Sequence, residues 1–226
     1  MQALLTNIRV HVNSNLYIAD PTTSVLGQKI LSQSVILIDE IGLEKFTFRK
    51  LAEVIESTEA SIYRYFKNKN QLLCYLIAWY WGWMEYLLAF ETANLEKSKL
   101  KLEKAVSIVT ATSKLPVAVM DIDLSRLHRI VQSESSKSFL TKDVDRINKE
   151  GAYVNYKQFV ERVAEIILEY NPSYLYPNML VSTIIEGAHL QYFFAEHLPR
   201  LTNKQKDNPE YLKDFFLNLL LKTINK

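Results

Sequence analysis

Tyr63, Arg64 and Tyr65 stand together at the end of a short segment that opens on Thr58, and Lys69 follows four residues later. Phenols, a guanidinium and an ammonium at that spacing suit a polyanion. Arg64 can grip a guanine edge with two hydrogen bonds or hold a phosphate. Tyr63 and Tyr65 can hydrogen-bond phosphates or pack on sugar and thymine methyl groups. Lys69 stands at a helix N-terminus, where dipole and ammonium both attract phosphate. Glu59 repels phosphate but can accept from a cytosine amine, and in a first helical turn it also steadies the helix.

The other reactive side chains do not assemble into a site. Histidines 11, 128, 189 and 197 form no i, i+4 pair and no HExxH, so no metal is expected. Asp121 and Asp123 read as helix caps. Cys74, after Leu72 and Leu73, reads as a small buried hydrophobe. There is no Gly-rich phosphate loop and no nucleophile elbow. We therefore expect no catalytic residue, no cofactor and no enzyme.

These residues need a scaffold, and composition bounds it. The chain has 226 residues, 48% hydrophobic and 23% charged, enough apolar surface for a core. Five Gly and six Pro are too few for a many-stranded sandwich or barrel. One cysteine excludes an internal disulfide and fits a reducing, cytoplasmic compartment. No secretory signal is visible. Net charge is only +2, so any nucleic-acid footprint must lie in its distribution. Leu72–Phe90 is nearly all apolar, but it contains Glu85 and carries Trp79, Tyr80, Trp81 and Trp83 in mid-segment. Those residues predict a buried central helix, not a membrane span.

Apolar spacings of three and four predict helices throughout. Val25 to Ile41 is the first, stopped by Gly42. Thr47 caps Phe48 to Ile55, with Phe46 and Leu51 placed as a hydrophobic staple, and Thr58 caps Glu59 to Tyr65. Asn68 and Gln71 form a capping box opening a long helix over about 69–91. Three caps within 22 residues give the spacing of a helix-turn-helix. Further helices are expected over 96–112, 116–133, 152–170, 179–197 and 209–224, and a short extended arm over 8–12. No convincing sheet is expected. The fold class is all-α: an N-terminal three-helix helix-turn-helix unit continuous with a larger C-terminal helical bundle.

Residues 46–73, FTFRKLAEVIESTEASIYRYFKNKNQLL, resemble the DNA-binding unit of TetR/AcrR-type transcriptional regulators. The resemblance is carried by Thr47, Leu51-Ala52, Tyr63, Tyr65-Phe66, Lys69 and Leu72-Leu73. It implies an arm over 1–23, a DNA-binding domain over 24–73 and a ligand-binding and dimerisation domain over 74–226. Thr47, Thr58, Glu59, Ala60, Ser61, Tyr63, Arg64, Tyr65 and Lys69 are the expected DNA contacts. From Lys45 to Lys69 six Lys and Arg face three Glu, a local +3. One departure from the family stands in the turn, where Glu56 replaces the frequent Gly; a left-handed backbone there costs about 1 kcal/mol.

In the remainder, Trp79, Trp83 and Tyr86 on the long helix, with Tyr156 and Phe159 later, are candidates for lining an effector cavity; core packing is the plainer reading. Leu180, Ile184, Gly187, Ala188 and Tyr192, with Leu212, Phe215, Phe216 and Leu219, are candidates for a four-helix dimer interface; an intrachain core is the plainer reading there too. The resulting expectation is a ligand-responsive regulator, a repressor acting as a homodimer on a palindromic operator. Its partners are operator DNA and a small-molecule effector, with no membrane. A helical ligand-binding protein with degenerate DNA recognition, or an enzyme within the bundle, remains open at this point.

Overall fold

In a computed structural model of the chain, residues 10–110, 118–203, 208 and 210–225 are described. The helices are α1 (Val25–Lys45), α2 (Phe48–Val54), α3 (Glu59–Tyr63), α4 (Lys69–Thr92) and α5 (Ser98–Val109). They continue with α6 (Leu124–Phe139), α7 (Val144–Lys149), α8 (Val154–Tyr170), α9 (Pro177–His197) and α10 (Glu210–Ile224). The strands among the described residues are a two-residue antiparallel pair, β1 (Ala118–Val119) with β2 (Ile122–Asp123). The all-α class therefore holds. No helix of the described residues is long and apolar enough to cross a membrane.

Contacts divide the chain into two compact units, Met1–Gly82 with Leu115–Asn155, and Trp83–Lys114 with Tyr156–Lys226. The sequence boundaries at 23 and 73 do not coincide with these. The reason is an ionic seam within the first unit. Asp39 on α1 receives both arms of Arg129 on α6, at 2.8 and 2.7 Å. Arg126, one turn earlier, reaches Asp39 at 3.1 Å and Glu40 at 3.2 Å. A forked pair with a second guanidinium is the geometry in which charged hydrogen bonds are strongest.

Residues 1–9 of the expected arm lie outside the described residues. Residues 10–23 pack onto the first unit as two 3-10 turns, Ser14–Leu16 and Pro21–Thr23, with Val12 and Leu16 buried. Buried Asn155 donates to the carbonyls of His11 and Ala78 at 3.0 and 2.9 Å.

The helical path of α1 breaks at Gly42, φ +77°, a conformation that suits a residue without Cβ. Where a helix was expected over 116–133, residues 116 and 117 lie outside the described residues and a hairpin comes first. Its central residues Met120 and Asp121 both have positive φ, as a type I′ hairpin loop requires. Asp123 then accepts from the amides of Ser125 and Arg126 at 2.9 and 3.0 Å, which starts α6 eight residues late. The short α7 had no periodic signal.

In the second unit, Leu102, Val106 and Val109 of α5, Val163 and Ile167 of α8, Val181 and Ile184 of α9 and Phe216 and Leu220 of α10 are buried. A Cβ on Gly187 would stand 3.2 Å from the Phe216 ring, so glycine lets α9 and α10 approach within one chain. The Tyr192 phenol donates to the carbonyl of Thr110 at 2.6 Å.

Candidate nucleic-acid interface

Two capped helices joined by a strained turn build this site. Thr47 accepts from the Lys50 amide at 3.2 Å and starts α2. The helix ends with the Ser57 amide bonded to the Ala52 carbonyl at 2.9 Å and the Glu56 amide to the Glu53 carbonyl at 3.4 Å. That crossed pair is a Schellman motif. Its left-handed position is occupied by Glu56, φ +55°, so the departure noted in the sequence is a real backbone constraint. Thr58 then accepts from the Ser61 amide at 3.3 Å and opens α3, which is held by buried Ile62 and, past its end, Phe66, while Leu51, Ala52 and Ile55 are buried on the α2 side.

What α3 leaves outward is chemical. Thr58, Glu59, Ala60 and Arg64 are exposed and Ser61 is half-buried. Tyr63 is 47% exposed. Its ring rests edge-on against Phe48, centroids 5.1 Å apart, and its phenol reaches Glu59 at 3.4 Å. Thr47 is exposed at the start of α2. The Tyr63–Phe48 contact brings the exposed end of α3 against the start of α2, next to Thr47.

Two of the expected contacts are engaged elsewhere. Tyr65 is half-buried, with its phenol 2.7 Å from the Ser24 hydroxyl. Lys69, expected to offer its ammonium to phosphate, donates instead to the carbonyls of Leu43, Glu44 and Phe46 at 2.9, 3.1 and 3.3 Å. The kink at Gly42 leaves those carbonyls outside regular helix, and a cation at a helix C-terminus satisfies them. Lys29 donates likewise to the Ile55 carbonyl and Lys50 to that of Lys45, both at 2.9 Å. The local positive charge counted from sequence is thus partly a set of helix-end clamps, for which residue type alone gives no signal.

Of the expected cavity residues, Trp79 belongs to the first unit, and Trp83, Tyr86, Tyr156 and Phe159 to the second. Trp79, Trp83 and Phe159 are fully buried. Trp83 stacks on Tyr86 with centroids 5.7 Å apart. In the second unit an aliphatic seam of about 10 Å³ lies among Ala105, Val106, Val109, Val163, Val181, Ile184 and Leu220. Beside α9, the Tyr156 phenol donates to the Glu186 carboxylate at 3.1 Å. Burial raises the Glu186 carboxyl above its usual range. One turn on, burial holds His189 down to about 4, neutral at pH 7.

The expected dimer residues divide. Ile184, Ala188, Leu212 and Phe216 are buried within the chain, because their stripe is the one that closes the core. Leu180, Gly187 and Tyr192 are half-buried. Phe215 and Leu219 are exposed, together with Met179, Leu190, Phe193 and Tyr211. Met179, Leu190 and Phe193 belong to a second apolar stripe along the same helix, and periodicity does not say which stripe faces inward.

Residues 30–76 match the family described as bacterial regulatory proteins, tetR family. Solved structures similar to the chain include the transcriptional regulator FadR from Bacillus subtilis in complex with stearoyl-CoA. It is 18% identical over 87% of this chain and 98% of that one, TM-score 0.65. The fatty acid degradation regulator FadR from Bacillus halodurans is 14% identical over 85% and 93%, TM-score 0.58. AibR in complex with isovaleryl coenzyme A and operator DNA is 15% identical over 85% and 97%, TM-score 0.57. At such identities the likeness is one of fold. No curated protein matches the chain. The resemblance to the TetR family read from residues 46–73 is borne out.

Proposed function

We propose that this chain, which opens on a TetR-type helix-turn-helix, is a DNA-binding transcriptional regulator whose operator affinity is set by a small-molecule effector. The observation that carries the reading is the outward face of α3. Glu59, Ala60, Tyr63 and Arg64 are exposed on a short helix held from behind by Ile62 and Phe66. A helix of that size fits the major groove, with Thr47, Thr58 and Ser61 facing backbone phosphates and Arg64 able to read a base. Tyr65 and Lys69 contribute by holding α3 and α4 in place.

The chain acts as a homodimer. The apolar residues left exposed on α9 and α10, Leu190, Phe193, Phe215 and Leu219, form a surface suited to a two-fold four-helix contact. Two recognition helices then meet half-sites about 34–36 Å apart or a multiple of that, and the operator is a palindrome. The regulator is a repressor: an effector preferring another spacing of the recognition helices lowers operator affinity by its differential binding to the two states. FadR from Bacillus subtilis was solved with stearoyl-CoA and AibR with isovaleryl coenzyme A. We assign the same effector class, an acyl thioester, here. Its acyl chain would open the aliphatic seam of the second unit, near Tyr156 and Glu186.

Selection from a random duplex pool tests this directly. A two-fold symmetric sequence should be enriched, and Tyr63→Ala should weaken binding to every duplex while leaving the assembly mass unchanged. Absence of any enriched duplex at low salt would end the DNA-binding reading. Stearoyl-CoA and isovaleryl-CoA are then titrated into the protein–duplex complex. Release of duplex by neither would remove the effector assignment.

A further inference from the structure

The first unit contains a cleft that the DNA-binding reading leaves unused. It measures about 400 Å³ and is lined by the Lys67–Asn68 turn, the first two turns of α4, the end of α6 and α7. That volume lies within the range of small-molecule sites. It is far too small for a duplex.

The charges that line it are unevenly balanced. Asp143 and Glu150 line the cleft, and both are engaged by Arg146, at 3.5 and 2.7 Å. Lys137 meets Glu134 at 3.2 Å, yet its side chain is 57% exposed. Lys67 is exposed and makes no ion pair among the described residues. Among the lining residues three cations, Lys67, Lys137 and Arg146, stand against two carboxylates, Asp143 and Glu150, so a bound cation would meet an excess of like charge. A neutral molecule would exchange water for little. An anion meets ammonium groups from two separate chain segments, one just after α3 and one on α6.

We propose that this cleft binds a small organic anion, a carboxylate or a phosphate ester, held by Lys67 and Lys137. The site lies within the first unit and is distinct from the aliphatic seam assigned to the acyl effector. It stands whether or not the chain binds DNA.

Cys74, the chain's one cysteine, lines the same cleft and reports its occupancy. Burial pushes its thiol up to about 11, with Glu150 adding to the effect, so it reacts slowly at pH 8.5. A bound anion slows it further, both by blocking approach and by raising the cost of the thiolate. The experiment follows modification of the full-length protein by a neutral dipyridyl disulfide at ionic strength fixed with potassium chloride. Succinate and glycerol 3-phosphate are the two probes. Reaction through the empty cleft alone predicts about a tenfold slowing at ten times the dissociation constant. Slowing by one probe and not the other identifies the headgroup. The Lys67→Ala, Lys137→Ala double variant should lose the slowing. If neither probe slows the reaction, or the double variant is slowed as much as the parent, the proposal is overturned.

Discussion

The phenol of Tyr65 lies 2.7 Å from the hydroxyl of Ser24, and that same hydroxyl accepts the Gly27 amide at 3.0 Å to cap α1. The exit of the recognition helix is therefore fastened to the entrance of the first helix. A second tie runs in parallel, from the Ile18 amide to the Tyr65 carbonyl at 2.8 Å. Tyr65→Phe keeps the ring and the backbone tie, and should lower stability by about 1 kcal/mol in denaturant titration. Ser24→Ala loses the cap as well, about 1–2 kcal/mol. The double variant should fall short of the sum, since both changes delete one shared bond. Full additivity would show that the two hydroxyls do not interact in solution.

Lys69 makes the same point with a charge. Its ammonium serves three carbonyls at the end of α1. Lys69→Met should therefore lower the melting temperature while leaving the salt dependence of duplex binding unchanged. A phosphate contact would instead reduce the log-log slope by about 0.9. The two readouts separate a clamp from a DNA contact, and a shallower slope with unaltered melting would restore the phosphate role.

The contrast between these lysines and the helix caps shows what a sequence can and cannot say here. Thr47, Thr58 and Asn68 act within three residues of themselves, so their spacing to the next amide is visible in one dimension. Gly42 and Glu56 were legible for the same reason: each marks a backbone conformation that its own residue type makes cheap or costly. Lys69 and Lys29 reach carbonyls 23–26 residues away, and Tyr65 reaches Ser24 across 41. Nothing local encodes those meetings. The pairing of Asp39 with Arg126 and Arg129 spans still more chain, so the packing of α6 on α1 has no local signal. On α9 and α10 the periods were read correctly, but two apolar stripes share each helix, and only packing decides which one is core.

Glu56 holds a left-handed backbone at the centre of the helix-turn-helix. Its side chain is exposed, so replacement disturbs no packing. Glu56→Gly removes the Cβ strain, about 1–2 kcal/mol, and returns part of that through a looser unfolded chain, about 0.5–1 kcal/mol. The net expectation is a stabilisation of about 0.5 kcal/mol, read as a small rise in melting temperature. Loss of a carboxylate beside the DNA face should also tighten duplex binding. A lower melting temperature would mean that Glu56 makes a contact worth more than its strain.

Phe215 and Phe216 are neighbours with edge-on rings 5.0 Å apart, yet one is 53% exposed and the other is core. Their substitution should fail in different ways. Phe215→Glu leaves the fold intact and should shift the species seen in sedimentation from dimer to monomer. Phe216→Ala should cost about 3–5 kcal/mol of stability, visible in denaturant. If Phe215→Glu sediments like the parent, Phe215 takes no part in the proposed self-association.

His189 is buried in the second unit and held down to about 4 by desolvation of its charged form. The unfolded chain takes up this proton near 6.5, and the folded chain refuses it until about 4. Between those values the unfolded state carries more protons, so stability rises with pH; it is complete above about 6.5 and is lost progressively as pH falls toward 4, by up to about 3 kcal/mol. Glu186, one turn away, has its carboxyl raised by the same burial. A raised acid works the other way, favouring the fold below its folded value and losing that contribution as pH rises through it. The two slopes overlap, so the parent profile alone is ambiguous. The difference between parent and His189→Gln isolates the imidazole: the variant should lose the decline between 6.5 and 4 and retain whatever Glu186 contributes. Parallel profiles for the two proteins would show that His189 takes up its proton in the folded chain as readily as in the unfolded one.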